Sequence, residues 1–188
     1  MKSILATLLL LSSVESLDVL QPWKAGAGKK SPMVDYFNGT MLQANGGKFW
    51  LGKPASAYCP SDVEHLDCTQ YPGGQTVFVG GNGTVSLDVA VPGGQQVYVA
   101  PDGALSYTIP HSRFMPNGSV TTGFRKASGS GYIDEVLLTY DDGKFLACPN
   151  STDIYQVYVQ MPNTMAPMMC MTFSLRTYDV SFRTAWEY

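Results

Sequence analysis

Gly74-Gln75-Thr76-Val77-Phe78-Val79 is echoed twenty residues later by Gly94-Gln95-Gln96-Val97-Tyr98-Val99. After a turn, Thr84-Val85-Ser86-Leu87-Asp88-Val89 is echoed by Ala104-Leu105-Ser106-Tyr107-Thr108-Ile109. Val77, Val79, Val85, Leu87 and Val89 alternate with smaller or polar neighbours, which is the two-residue period of a strand with one face buried. The connections are Gly80-Gly81-Asn82-Gly83 and Ala100-Pro101-Asp102-Gly103. Asn-Gly and Asp-Gly accept the positive φ values that tight hairpins demand. Residues 74–109 therefore predict two consecutive β-hairpins in matching register.

Working outward, strand-like runs recur at 48–51, 132–140, 144–147, 154–160 and 169–178, and Tyr140-Asp141-Asp142-Gly143-Lys144 reads as another hairpin turn. No segment keeps a 3.6-residue period between helix caps. The expectation is an all-β chain, folded as a compact Greek-key sandwich or barrel built from hairpins. Phe49, Tyr98 and Phe145 open similar strands at separations of 49 and 47 residues, which makes a β-trefoil-like fold the alternative. The inner twenty-residue repeat is not something a trefoil predicts.

A set of phrases from residue 45 to the end resembles the phiA-like fungal cell-wall proteins. They are Lys48-Phe49-Trp50-Leu51-Gly52-Lys53, Ala57-Tyr58-Cys59-Pro60, and Val91-Pro92-Gly93-Gly94-Gln95-Gln96-Val97-Tyr98-Val99. Gly103-Ala104-Leu105-Ser106-Tyr107-Thr108 follows, with His111-Ser112, Met115-Pro116 and Gly118-Ser119-Val120 after it. Ala147-Cys148-Pro149, Tyr155-Gln156-Val157-Tyr158 and the tail Ala185-Trp186-Glu187-Tyr188 complete the series in order. The resemblance implies a small secreted protein of the fungal wall, tied to phialide and conidium development, in a family with IgE-binding members. Residues 17–44, the Met-rich stretch 161–171 and the polar residues near Arg125-Lys126 depart from that pattern.

The start of the chain agrees with export. Met1-Lys2-Ser3 precedes an apolar run over 4–11 that is too short to span a bilayer, and Val14 and Ser16 suit the −3 and −1 positions of a cleavage site. A signal peptide over 1–16 is expected, then a flexible N-terminal arm over 17–44, then a single all-β domain over 45–188. The arm is read from the lack of periodicity around Lys24 to Ser31. Its Lys29-Lys30 pair is either a kexin-type cleavage site or an uncut linker. No apolar tail of the kind a GPI signal requires follows Trp186, so no membrane anchor is expected. Four acceptor sequons begin at Asn38, Asn82, Asn117 and Asn150. Asn82, at a hairpin tip, ranks below the other three as a glycan site.

Composition excludes one large class of partners. A net charge of −3 and only 14% charged residues give no electrostatic case for nucleic acid. Removing the leader leaves about 170 residues, enough for one domain with a real core. The four cysteines, Cys59, Cys68, Cys148 and Cys170, read as two disulfides in an oxidising compartment. Of three connectivities, Cys59–Cys68 with Cys148–Cys170 is expected because each closes a short local loop. Zinc is set aside, since the spacings are not C-x-x-C and neither histidine stands at ligand spacing. No metal or cofactor is expected.

Catalytic constellations are sparse. No G-x-S-x-G elbow occurs, and Ser112 beside His111 is not a dyad by adjacency alone. Among the acids Glu64, Asp67, Asp134, Glu135, Asp141 and Asp142, no pair stands out for glycosidase work. The chain is read as a non-enzyme, with a small wall-remodelling hydrolase as the least supported alternative. The Met-rich stretch reads as gap-filling or loop rather than a copper site. Aromatic rings stack on sugars, so Trp50, Tyr98 and Tyr107, with His111, are candidate carbohydrate contacts; the competing reading places such rings in the core. The expected partners are wall polysaccharide or other wall proteins. The leading reading is a secreted, glycosylated structural wall protein, followed by a carbohydrate-binding or host-facing module.

Overall fold

The repeated stretch folds as a meander. In a computed structural model of the chain, which describes residues 21–28, 37–128, 135–141, 143–162, 167–181 and 185–188, the first arm and its return form β4 (Phe78–Leu87). Asp88 N–H donates to the Val77 carbonyl at 2.8 Å, whereas an extended chain would hold these residues roughly 36 Å apart. So β4 folds back on itself, and the reversal sits on Gly80, Gly81 and Gly83, all at positive φ. A Cβ on Gly80 would lie 2.5 Å from the Thr84 carbonyl oxygen, so only glycine fits there. The expected hairpin is present, and its Asn82-Gly83 tip is paired to Arg125 and Phe124 of β7 (Phe124–Ser128).

The return arm pairs through Leu87 and Ser86 with β5 (Gln95–Val99), after a turn at Gly93 and Gly94. β5 then pairs with β6 (Leu105–Tyr107) in the register Val97↔Tyr107, Tyr98↔Ser106, Val99↔Leu105. This is the second expected hairpin; the Asp102 carboxylate accepts the Ala104 N–H in its turn. β3 (Lys48–Leu51) lies beside β6 through Lys48↔Ser106. The order β3-β6-β5-β4 is a Greek key, in which three hairpin-linked strands are joined by a fourth that arrives over a long connection.

Two further hairpins complete the body: β7 with β8 (Val136–Tyr140), and β9 (Lys144–Ser151) with β10 (Ile154–Gln160). The last strand, β11 (Met171–Asp179), joins them, pairing with β9 through Met171–Phe173 and with β8 through Leu175 and Arg176. The strands β11-β8-β7-β4-β5-β6-β3-β10-β9 return to β11 and close a nine-strand antiparallel barrel. β1 (Trp23–Gly28) and β2 (Gln43–Asn45) are added on β11 and β3. Inward-facing side chains, among them Phe49, Phe78, Phe124, Phe173, Leu105 and Leu175, form the core. Phe78 stacks on Trp23 with centroids 4.8 Å apart, and Phe49 meets Tyr107 edge-on at 5.2 Å.

Two expectations change. The ring does not divide into three equivalent units: Phe49 and Phe145 belong to the main core, whereas Tyr98 belongs to a small cluster with Ala100 and Ala104. The trefoil alternative therefore gives way to the Greek-key barrel. Within the expected flexible arm, Trp23–Gly28 is a fully paired strand, with Trp23↔Asp179 through Gly28↔Ser174, and Trp23 is 0% exposed. The sequence hides this strand because the inward residues after Trp23, Ala25 and Ala27, are small. A Cβ on Gly28 would meet Ser174 and Arg176 side-chain atoms at 2.8 Å, so closeness to β11 replaces apolar bulk as the requirement. The 1–16 leader, Lys29-Lys30, Tyr132, Asp134, Asp142 and Met165 lie outside the described residues.

The segment Ala185–Tyr188 straps the barrel to the loop that precedes β4. Ala90 and Val91 donate to the carbonyls of Ala185 and Trp186, and Tyr58 and Glu187 exchange backbone bonds on the other side. Trp186 meets Tyr71 edge-on, and the Tyr188 hydroxyl donates to the Gln75 carbonyl.

Candidate functional site

Cys59 pairs with Cys68 and Cys148 with Cys170, at Cα separations of 5.8 and 4.2 Å. The first bridge closes a surface loop that ends on a short 3-10 turn (Cys68–Gln70). Asp67 caps it: its carboxylate accepts from the Thr69 hydroxyl, the Gln70 amide and the Thr69 N–H, and these bonds lower its pKa. The second bridge ties β9 to the residue before β11, at the joint where the barrel closes. The sequon residues Asn38, Asn82, Asn117 and Asn150 are all exposed. Asn117 stands on a tight turn in which Ser119 N–H reaches the Pro116 carbonyl at 3.0 Å, with Gly118 at φ 89°.

The four candidate carbohydrate contacts do not converge. Tyr107 points into the barrel, 2% exposed, and its hydroxyl accepts the Gly47 N–H at 3.1 Å. Burial pushes this phenol up to about 12. Tyr98 is 8% exposed under Met115 and Tyr158, and burial raises its pKa as well. Trp50, 9% exposed, donates its ring N–H to the Asn45 carbonyl and lies under the Lys53 ammonium, 4.4 Å from the ring centroid. None of these three rings offers a sugar an open face. Only His111 is exposed, in a left-handed turn at φ 57°.

One contact has the composition of a nucleophile and its base: Lys48 Nζ donates to Ser106 Oγ at 3.0 Å. Ser106 is wholly buried and its hydroxyl is directed to the Ala104 carbonyl at 3.2 Å. The hydroxyl lies on the face of β6 opposite Leu105 and Tyr107, beside Tyr98, and burial of Ser106 keeps it from presenting an open nucleophile. Among the described residues no group of three or more His, Cys, Asp and Glu side chains gathers at metal-binding distance.

Two open cavities of about 400 Å³ each indent the surface. One lies among Phe37, Thr40, Leu51, Gly52, Asp153 and Tyr155, with Asp153 as its charged group. The other lies where the ends of β5 and β6 meet the 109–121 loop, and its walls include Gln96, Thr108, Ser112, Arg113, Met115 and Thr121. Among the described residues no acidic side chain lines the second cavity. Its floor is fixed: the Thr108 hydroxyl accepts the Gln96 N–H at 2.9 Å, and Gln96 Nε2 donates to the Val85 carbonyl at 2.7 Å. Its loop is fixed too, because Val120 exchanges two backbone bonds with Val99 (2.8 and 2.9 Å) and Ser112 Oγ accepts the Phe114 N–H at 3.0 Å. Phe114, between two cavity-lining residues, is 78% exposed. Sequence reasoning singles out His111 in this loop and passes over Arg113. The available signal is that the strand repeat stops at Ile109-Pro110 and a cation and an aromatic follow with no apolar period.

These features define a class: a disulfide-braced, closed antiparallel β-barrel whose polar cleft lies against an ordered loop. Compared with known families, residues 32–188 match the model of the PhiA-like secreted protein family, and the chain belongs to that family. No curated protein and no solved structure matches the chain.

Proposed function

We propose that this chain is a glycosylated structural protein of a filamentous-fungal cell wall that acts in phialide and conidium development without catalysing a reaction. Membership in a secreted family supports the extracellular half of this reading. The observation that carries the rest is where the polar chemistry lies. All four acceptor asparagines are on the outside of the barrel. The one described hydroxyl held by a lysine, that of Ser106, is wholly buried on the outer face of β6 beside Tyr98. A closed sheet with two sulfur bridges suits long residence outside the cell, where neither repair nor replacement is quick. Its partners are wall polysaccharide or other wall proteins, and it uses no cofactor, nucleic acid or membrane anchor.

Wall fractionation tests the reading. The native protein is expected in the wall fraction, released by hot detergent, by alkali or only after glucanase, and to run as a glycoprotein that shifts on deglycosylation. Recovery of all the protein from culture medium, with none in walls of conidiating cells, would remove the wall role.

A further inference from the structure

We propose that the cleft between the β5–β6 floor and the 109–121 loop binds a segment of acidic polysaccharide, with Arg113 engaging its carboxylate or phosphodiester. The proposal deepens the wall reading by naming the chemistry of the polymer touched. It rests on three features of the cleft taken together.

The first is charge. Arg113 is exposed at the cleft; among the described residues it has no ion-pair partner and no acid lines the cavity to compete for it. Several other cations are engaged: Lys126 faces Asp179 at 3.2 Å, Arg176 faces Glu135 at 2.9 Å, and Lys24 donates to the Gln75 side chain; the exposed Arg125 and Lys144 do not line this cleft. A guanidinium presents a planar fork of donors that matches carboxylate and phosphate geometry. The protein as a whole carries −3, so a polyanion gains nothing from the mean field and must be held locally.

The second is the lining. The hydroxyls of Thr108, Ser112 and Thr121 can donate and the Gln96 Oε1 can accept, which suits the hydroxyls of a sugar ring, while Gln96 Nε2 is held by the Val85 and Val97 carbonyls. The third is apolar surface next to the lining in sequence: Phe114, between Arg113 and Met115, is 78% exposed, and Ile109, beside Thr108, is 62% exposed, and such surface suits a sugar's C–H face. The pinned loop means that the cleft is formed before the ligand arrives, which reduces the ordering cost of binding.

The test uses the full secreted protein with three polymers: polygalacturonate for carboxylate, phosphomannan for phosphodiester, and laminarin as a neutral glucan. Affinity electrophoresis or calorimetry should show retention by at least one acidic polymer, weakening by about tenfold or more between low and high salt. Arg113→Ala should lose about tenfold in affinity and Arg113→Lys less, because lysine keeps the charge without the fork. Phe114→Ala should weaken binding by several-fold, and Thr121→Val should weaken it without a charge change; thermal unfolding should stay unchanged in all four variants. Which acidic polymer binds identifies the source of the anion. Equal affinity of wild type and Arg113→Ala, laminarin bound as well as the polyanions, or no binding to any of the three overturns the proposal. Wall fractionation of the same variants keeps that failure distinct from failure of the wall reading, which requires loss of wall residence.

Discussion

Gln95 holds Tyr188 as a neighbouring strand would. Gln95 Nε2 donates to the Tyr188 carbonyl at 2.7 Å, and Tyr188 N–H donates to Gln95 Oε1 at 2.8 Å. The same Nε2 reaches the Thr108 carbonyl at 2.9 Å, so one buried side chain ties β5, β6 and the Ala185–Tyr188 strap together. Replacing it with leucine strands several backbone groups without partners, at a cost of about 2–3 kcal/mol. Gln95→Leu should lower the urea midpoint accordingly, and hydrogen exchange should show lost protection at Tyr188 and at Ala90–Val91. A variant as stable as wild type would show that the clamp is redundant.

Tyr107 makes stability fall at high pH. Its phenol titrates near 10 when unfolded and at about 12 when folded, so between those values the folded state keeps a proton that the unfolded state has released. The stabilisation is complete below pH 10 and declines as pH rises toward 12, by about 1.4 kcal/mol per unit. Denaturation midpoints measured from pH 8 to pH 12 should bend downward near 10. In Tyr107→Phe the bend should be reduced, at the cost of roughly 1 kcal/mol for the unpaired Gly47 N–H.

The two disulfides should differ in what their loss does. By loop closure each contributes about 3 kcal/mol, with the larger share for the wider loop, and the separations are 9 and 22 residues. Paired serine substitutions at Cys148 and Cys170 are expected to lower barrel stability more than the same change at Cys59 and Cys68. The latter should chiefly loosen the 59–68 loop, which proteolysis would detect as a new cut with the barrel intact.

Trp23 is a test of where the folded body begins. Its ring stacks on Phe78 and its ring N–H donates to the Gly80 carbonyl at 3.0 Å. Trp23→Ala should cost about 3–5 kcal/mol, read as a fall of roughly 10 °C in the melting temperature. Truncation before residue 45 should fail to give a soluble folded barrel.

Gly52 permits a close approach between the end of β3 and the β9–β10 turn. It sits at φ 78°, and a Cβ there would collide with the Asp153 carbonyl oxygen. Gly52→Ala combines that clash with left-handed strain and is expected to destabilise by more than about 2 kcal/mol. Thermal unfolding decides it.

The hairpin repeat was legible because its strands alternate and its turns use Asn-Gly and Asp-Gly, both local signals. The short cysteine loops were legible for the same reason. β1 was not: Ala25, Gly26, Ala27 and Gly28 are chosen for closeness to β11, and small size leaves no period. Ring closure was not legible either, because β11 meets β8 and β9 at different halves of one strand, a fact of three-dimensional bending rather than pattern. The aromatic candidates show the converse limit. Trp50, Tyr98 and Tyr107 announce ring chemistry, but composition does not say which face of a strand meets water. Arg113 was passed over because one arginine in a loop has no signature until the opposite wall is known.

A sheet that closes on itself has consequences for crowding. Over most of the perimeter the main-chain donors and acceptors are already matched within one molecule. Along the closed ring of described strands a neighbour finds little template to lengthen, which disfavours fibrils grown by adding strand to strand. A lattice of these barrels is then mortared chiefly by side chains, sugars or polymer lying between separate bricks.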